Sequence, residues 1–159
     1  IIGTSNVVLA CMESNVKLVY ISTDYVYPGI DGNYKEEDPL LPVNLYAWSK
    51  LGGECAVRLY ENSLILRVSM TQKPFVHTKA LVDSKKSLLY IEEAVELSLR
   101  LFHEFGIINL GGDPTNSYDF VRKNEGLELG KIYRKDLDEP MAKDSTMNLD
   151  KLNGILYED

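Results

Sequence analysis

The chain has 159 residues, 45% of them hydrophobic and 26% charged, which is the composition of an ordinary globular protein and excludes a disordered or fibrous one. Its 17 Lys and Arg against 24 Asp and Glu give a net charge of −7, which argues against a nucleic-acid partner and against an anionic membrane surface. The sequence carries no apolar run of membrane-spanning length and only two cysteines, so we expect a cytoplasmic protein without a disulfide framework.

The first half of the chain predicts a helix, a strand, a long loop and a second helix. Residues 1–10 have the pattern of a helix interior, and Asn15 suits the cap at its end. The β-branched and aromatic run 17–22 predicts a buried strand. Residues 27–42 are rich in Pro, Gly, Asn and Asp and predict a long loop, and a helix is expected over 44–60.

Apolar residues of this second helix recur at helical spacing. They are Trp48, Leu51, Cys55 and Leu59. We expect this face to pack in the core or at an interface, and an interface of this kind would suit a helix-packed homodimer.

The second half of the chain continues the alternation. Strands are predicted over 63–69 and 106–110, an amphipathic helix over 87–105, and a last helix over 149–156. The stretch 71–89 predicts no clear element. Strands that alternate with helices predict an α/β fold with a parallel sheet.

The residues that suggest chemistry follow the first predicted strand. Ser22 and Thr23 stand at its carboxyl end, where open α/β sheets bind ligands. Tyr46 and Lys50 are neighbours one turn apart on the following helix. A phenol has an ordinary pKa of about 10, and a nearby ammonium favours its phenolate, so such a pair can exchange a proton with a carbonyl oxygen. These side chains are suited to carbonyl reduction or alcohol oxidation with a hydride carrier.

A Tyr and a Lys four residues apart also arise by chance, and the simplest alternative is a pair of exposed side chains on a solvated helix face. The order of the elements favours the chemical interpretation. A Ser-Thr pair ends a strand, a loop rich in Pro and Gly follows it, and the helix with Tyr46 and Lys50 comes next.

A resemblance to a known family is carried by the segment 19–29 (VYISTDYVYPG) and by the residues around Tyr46 and Lys50 within 37–54. Both resemble the extended short-chain dehydrogenase/reductase family, in particular its dTDP-4-dehydrorhamnose reductase branch. The segments 64–69 (LILRVS) and 106–112 (GIINLGG) are similar to later strands of the same family. The resemblance implies a Rossmann-like, doubly wound parallel sheet with a small C-terminal substrate region.

The resemblance also implies roles for individual residues. Tyr46 would be the general acid, Thr23 the hydroxyl on the substrate carbonyl, and Lys50 the group that holds the nicotinamide ribose. The other positions implied are Ser22, Arg67 and Ser69 beside the cofactor, and Asp24 and Tyr25, with Thr23, beside the sugar. Dehydratases of the same family carry an Asp-Glu pair after the Ser or Thr. Here Asp24 is followed by Tyr25, so the resemblance favours reduction of the sugar over its dehydration.

The activity that the resemblance implies is reduction of a nucleotide-linked 4-keto-6-deoxy sugar by NADPH or NADH, in deoxysugar and polysaccharide biosynthesis. Two alternatives stay open: a nucleotide-sugar epimerase of the same superfamily, and a regulatory or scaffolding protein that keeps the fold without turnover. No metal site is expected, because His77 and His103 stand in different elements without further ligands at metal spacing.

The stretch 70–89, which in the family contributes much of the sugar-nucleotide pocket, is short in this sequence. The sequence also departs from the family at the site of the cofactor phosphates. The glycine-rich G-x-x-G-x-x-G loop that binds the dinucleotide phosphates is absent from it. We therefore expect the sequence to be part of a longer chain. In that interpretation 1–70 is the C-terminal part of a Rossmann-type NAD(P)-binding domain with the catalytic Thr, Tyr and Lys, and 71–159 is a mixed substrate-binding region with the last elements of the sheet.

Overall fold

The computed structural model describes residues 1–157, in which helices and strands alternate. The helices are α1 (Ile2–Ser14), α2 (Leu45–Val57), α3 (Ile91–Arg100), α4 (Ser117–Glu125) and α5 (Asp150–Tyr157). The strands are β1 (Leu18–Thr23), β2 (Ser63–Thr71), β3 (Lys79–Leu81), β4 (Lys85–Tyr90), β5 (Gly106–Leu110), β6 (Pro114–Asn116) and β7 (Gly130–Ile132). Short 3₁₀ helices cover Asp24–Val26 and Arg134–Asp136.

Strand β2 is the centre of the main sheet. Strands β1 and β5 run parallel to it, and β4 runs parallel to its last three residues. Strand β6 pairs antiparallel with β4, while β3 and β7 form a separate parallel pair. The expected α/β class with a mainly parallel sheet is confirmed. Because parallel strands end at the same edge, the carboxyl ends of β1, β2 and β4 come together there.

The two faces of β2 are covered by different helices, because successive side chains of a strand point to opposite sides. On one face, Leu64 and Leu66 pack with buried residues of α3 and α5. On the other face, Ile65 packs with Val8 of α1 and Val57 of α2. Helices therefore lie on both sides of the sheet, as a doubly wound arrangement requires.

Helix α2 buries a different face from the one predicted. Trp48 on α2 is 51% exposed and Leu59, just beyond the end of the helix, is 76% exposed, so of the two expected locations, core or interface, the core is excluded. The helix instead buries Ala47, Gly53, Glu54 and Val57. A Cβ at Gly53 would overlap the hydroxyl oxygen of Tyr20 on β1, so the absence of a side chain lets α2 lie close to the strand.

The predicted helix over 87–105 begins too early. Residues up to Tyr90 form β4, whose pairing with β2 sets Leu88 opposite Ser69 and Tyr90 opposite Thr71. Helix α3 starts at Ile91, where the Tyr90 N–H donates to the Glu93 carboxylate at 2.8 Å. The pairing partner that makes 85–90 a strand is about twenty residues away in sequence, so helical periodicity alone could not exclude a helix there.

Candidate active site

A cleft of about 420 Å³ lies at the carboxyl edge of the sheet. Its walls are Ile21–Tyr25 from the end of β1, Tyr46 and Lys50 from α2, Val68–Met70 from β2, and Lys86 from β4. The structure thus brings Thr23, Tyr46 and Lys50 to one cavity, although more than twenty residues separate Thr23 from the other two.

Helix α2 presents Tyr46 and Lys50 from its first turns. The helix starts at Leu45 because the Asn44 side-chain oxygen accepts from the Ala47 N–H at 3.0 Å, a typical N-cap. Tyr46 is 55% exposed, so its hydroxyl is accessible to a ligand in the cleft. The Lys50 ammonium lies 4.3 Å from the ring centroid of Tyr20. Burial lowers the pKa of Lys50 from its ordinary value, and the charge of Glu54 partly opposes this.

Thr23 and Asp24 form a hydrogen-bonded pair on the opposite wall. The Thr23 hydroxyl donates to Asp24 Oδ1 at 3.1 Å and accepts from the Tyr25 N–H at 3.3 Å. The second carboxylate oxygen of Asp24 accepts from the Ser145 hydroxyl at 2.6 Å. These bonds hold Thr23 in place and keep a buried carboxylate satisfied.

Lys86 is a residue of the cleft that the sequence analysis missed. Its ammonium lies 4.0 Å from Asp24 Oδ2 and 3.8 Å from the ring centroid of Tyr25. Burial by itself would lower the pKa of Lys86, but the charge of Asp24 and the contact with Tyr25 outweigh it and raise this pKa. Period-2 alternation would have put either Lys85 or Lys86 on the site face, had 85–90 been identified as a strand.

Arg67, expected beside the cofactor, is not among the residues that line the cleft. Its side chain is fully buried on the face of β2 that α2 covers and forms two hydrogen bonds with Glu54, at 2.8 and 3.1 Å. The remaining nitrogen donates to the Tyr27 hydroxyl at 2.9 Å and to the Glu36 carbonyl at 3.1 Å. Every nitrogen of the guanidinium therefore has a partner within the protein.

Ser22 and Ser69 are the other two residues expected beside the cofactor, and they differ in their hydrogen bonds. Both line the cleft and both are buried. The Ser22 hydroxyl donates to Glu54 Oε1 at 2.5 Å, so it belongs to the buried network of Glu54 and Arg67. Ser69 stands at the end of β2 beside Val68 and Met70, on the wall of the cleft itself.

Residues 1–157 contain no group of three or more His, Cys, Asp or Glu side chains arranged to hold a metal ion. None of the helices described there combines the length and the apolar character that crossing a membrane requires.

Comparison with known proteins relates this geometry to characterised relatives. A family model described as the RmlD substrate binding domain matches residues 1–85. Over 58 residues the chain is 41% identical to dTDP-4-dehydrorhamnose reductase of Mycolicibacterium smegmatis, a match that covers 35% of this chain and 18% of that protein. Over 54 residues it is 50% identical to methionine adenosyltransferase 2 subunit beta of Pongo abelii, covering 32% and 16%.

The whole fold is similar to a crystal structure of dTDP-4-dehydrorhamnose reductase from Bacillus anthracis in complex with NADP. The TM-score is 0.80 at 26% identity, and the match covers 98% of this chain and 64% of that one. The expected Rossmann-like architecture is therefore confirmed. The chain spans less than two thirds of that reductase and under a fifth of the two curated relatives.

Proposed function

The chain belongs to the RmlD substrate binding domain family, and we propose that it carries the catalytic groups of a reductase that acts on a nucleotide-linked 4-keto-6-deoxy sugar with NADPH or NADH. The reductase from M. smegmatis and the NADP complex from B. anthracis support this substrate class and this cofactor. The observation that carries the proposal is the convergence of Thr23, Tyr46 and Lys50 on one cleft.

In this proposal the residues of the cleft handle the proton of the reaction. The reduced nicotinamide, when bound, supplies a hydride to the carbonyl carbon. The Tyr46 hydroxyl gives its proton to the carbonyl oxygen, and the Lys50 ammonium stabilises the negative charge that this leaves on Tyr46. Thr23 would turn its O–H from Asp24 to the same carbonyl oxygen and hold the sugar in position.

The residues present fit one end of the dinucleotide. Hydroxyl and ammonium groups of Tyr46, Lys50 and Ser69 surround the cleft and suit the hydroxyls of the nicotinamide ribose. The pyrophosphate requires the backbone N–H groups of a glycine-rich turn, which this sequence does not carry. We propose a functional division in which 1–70 serves the nicotinamide and the proton transfer, and 71–159 serves the sugar nucleotide.

A second candidate is a subunit that keeps the fold without turnover. It is favoured by the 50% identity, over 54 residues, to methionine adenosyltransferase 2 subunit beta. A nucleotide-sugar epimerase, the third candidate, would use the same Tyr and Lys but would retain its dinucleotide through the cycle.

Replacing Tyr46 with Phe tests the proposal. Loss of a general acid costs roughly 10²- to 10⁴-fold in turnover, which would be measured as NADPH oxidation coupled to reduction of dTDP-4-dehydrorhamnose. Tyr133→Phe, at an exposed tyrosine outside the cleft, is the matched control and should leave the rate unchanged. Absence of NADPH oxidation in an unsubstituted protein that binds NADPH would favour the subunit, and an epimerised product without net oxidation would favour the epimerase.

The location and the partners of the protein are also part of the proposal. We propose that it acts in the cytoplasm on a small sugar nucleotide, without a nucleic-acid or membrane partner. We also propose a homodimer, because α1 and α2 pack together and both leave large apolar side chains exposed.

A further inference from the structure

Two cavities meet beside Tyr25. The first is the catalytic cleft, and the second is a cavity of about 600 Å³ whose lining includes Phe75, His77 and Met141. The Tyr25 hydroxyl donates to the Met141 sulfur at 3.5 Å, which joins the walls of the two. The consecutive residues Met70 and Thr71 line the first and the second cavity respectively. Tyr25 and Met141 therefore mark the junction between two neighbouring cavities.

The ammonium of Lys86 lies at this junction. It is held 3.8 Å above the Tyr25 ring, and its side chain is only 15% exposed. Its ion pair with Asp24 is loose, at 4.0 Å, and the Asp24 oxygens also accept hydrogen bonds from Thr23 and Ser145. An ammonium has three N–H donors, so Lys86 keeps donors for a ligand.

We propose that Lys86 binds the diphosphate of the substrate, between the cleft that holds the sugar and the cavity that holds the nucleoside. The inference rests on the proposed function, because only a sugar nucleotide places a diphosphate between these two parts. With the sugar carbonyl at Tyr46, the diphosphate comes next along the molecule and reaches the junction at Tyr25. A fixed cation there offsets part of the charge of the two phosphates in a protein whose net charge is −7.

The adjacent lysine provides a matched control. Lys85 lies on the same strand, but it lines a different cavity, with Asp83 and Arg134, and its side chain is exposed. Lys85→Met and Lys86→Met change the net charge by the same amount. A general electrostatic effect would therefore appear in both variants, whereas a direct contact would appear only at Lys86.

The test compares binding of dTDP and of thymidine to the two variants, to Lys86→Arg and to the unsubstituted protein, by calorimetry and NMR titration. We expect Lys86→Met to weaken dTDP binding roughly 10- to 100-fold, the effect of losing a hydrogen bond to a charged group, and to leave thymidine binding unchanged. Lys86→Arg should keep most of the dTDP affinity, and Lys85→Met should keep all of it.

Equal dTDP affinity in Lys86→Met and the unsubstituted protein would overturn the assignment of Lys86 while leaving the proposed function intact. A protein that binds neither dTDP nor UDP would instead count against the sugar-nucleotide substrate, and the inference would fall with it. If Lys86→Met does not fold, the ε-methylene NMR resonance of Lys86 in the unsubstituted protein decides. The resonance should move on addition of dTDP and not of thymidine, and equal movement with both would contradict the contact.

Discussion

Buried charges hold the strands of the cleft in place. Glu54 and Arg67 are both fully buried, and the carboxylate and guanidinium meet in two hydrogen bonds. Such a pair is tolerated only where the remaining donors and acceptors are satisfied, and here Ser22 and Tyr27 do this. Because Ser22 precedes Thr23, the network holds the end of β1 in place beside the cleft.

Tyr27 makes the stability of this network depend on pH. Burial raises the pKa of Tyr27 from the ordinary 10.0 to about 12, although Arg67 opposes the shift. Between these two pH values the unfolded chain has released the proton and the folded chain still holds it. Stability present below pH 10 is therefore lost as the pH rises towards 12, by about 2–3 kcal/mol from this group.

Urea denaturation at a series of alkaline pH values would measure this loss. The free energy of unfolding of Tyr27→Phe is expected to fall less steeply than that of the unsubstituted protein, even though the substitution itself removes two hydrogen bonds. An equally steep decline in both proteins would show that other groups cause the alkaline loss.

At the scale of the element, two consecutive glycines of α2 have opposite roles. A Cβ at Gly53 would overlap the Tyr20 hydroxyl, whereas a Cβ at Gly52 would meet only the end of the Ile1 side chain, at 2.8 Å. Tyr20 donates to the Lys50 carbonyl at 3.1 Å, and its ring lies under the Lys50 ammonium. A displaced Tyr20 would therefore disturb the helix at Lys50.

We expect Gly53→Ala to destabilise the protein by roughly 1–3 kcal/mol through overpacking. Gly52→Ala should be neutral or stabilise it by up to about 1 kcal/mol, because Ala favours a helix interior over Gly and the Ile1 side chain can move. Thermal unfolding of the two variants would compare them directly. Similar melting temperatures would contradict the close approach of α2 to β1.

At the scale of the whole molecule, the apolar surface of α1 and α2 requires an explanation. Ile2 and Leu9 of α1, Trp48 of α2 and Leu59 just beyond α2 are all exposed, although the two helices contact each other. Exposed apolar surface of this kind is typical of an interface between proteins. The apolar helix face that includes Trp48 therefore lies at the surface of the protein and not in its core.

Sedimentation equilibrium would test the proposed homodimer. We expect Trp48→Arg to give a monomer, because a charge at the centre of an apolar interface is costly to bury. Leu99→Arg, at a leucine of α3 that is also exposed, should leave the oligomeric state unchanged. A monomeric unsubstituted protein would contradict the homodimer proposal.

The sequence by itself determined β1 and β5, the start of α2, and the spacing that puts Tyr46 and Lys50 one turn apart after a Ser-Thr pair. These features depend on local periodicity and on caps, which neighbouring residues specify. Only the tertiary structure decided that Arg67 forms a buried ion pair with Glu54, that Lys86 lines the cleft, and that α2 buries Gly53 rather than Trp48. Each of these depends on which distant strand or helix covers a given face, and local sequence patterns do not carry that information.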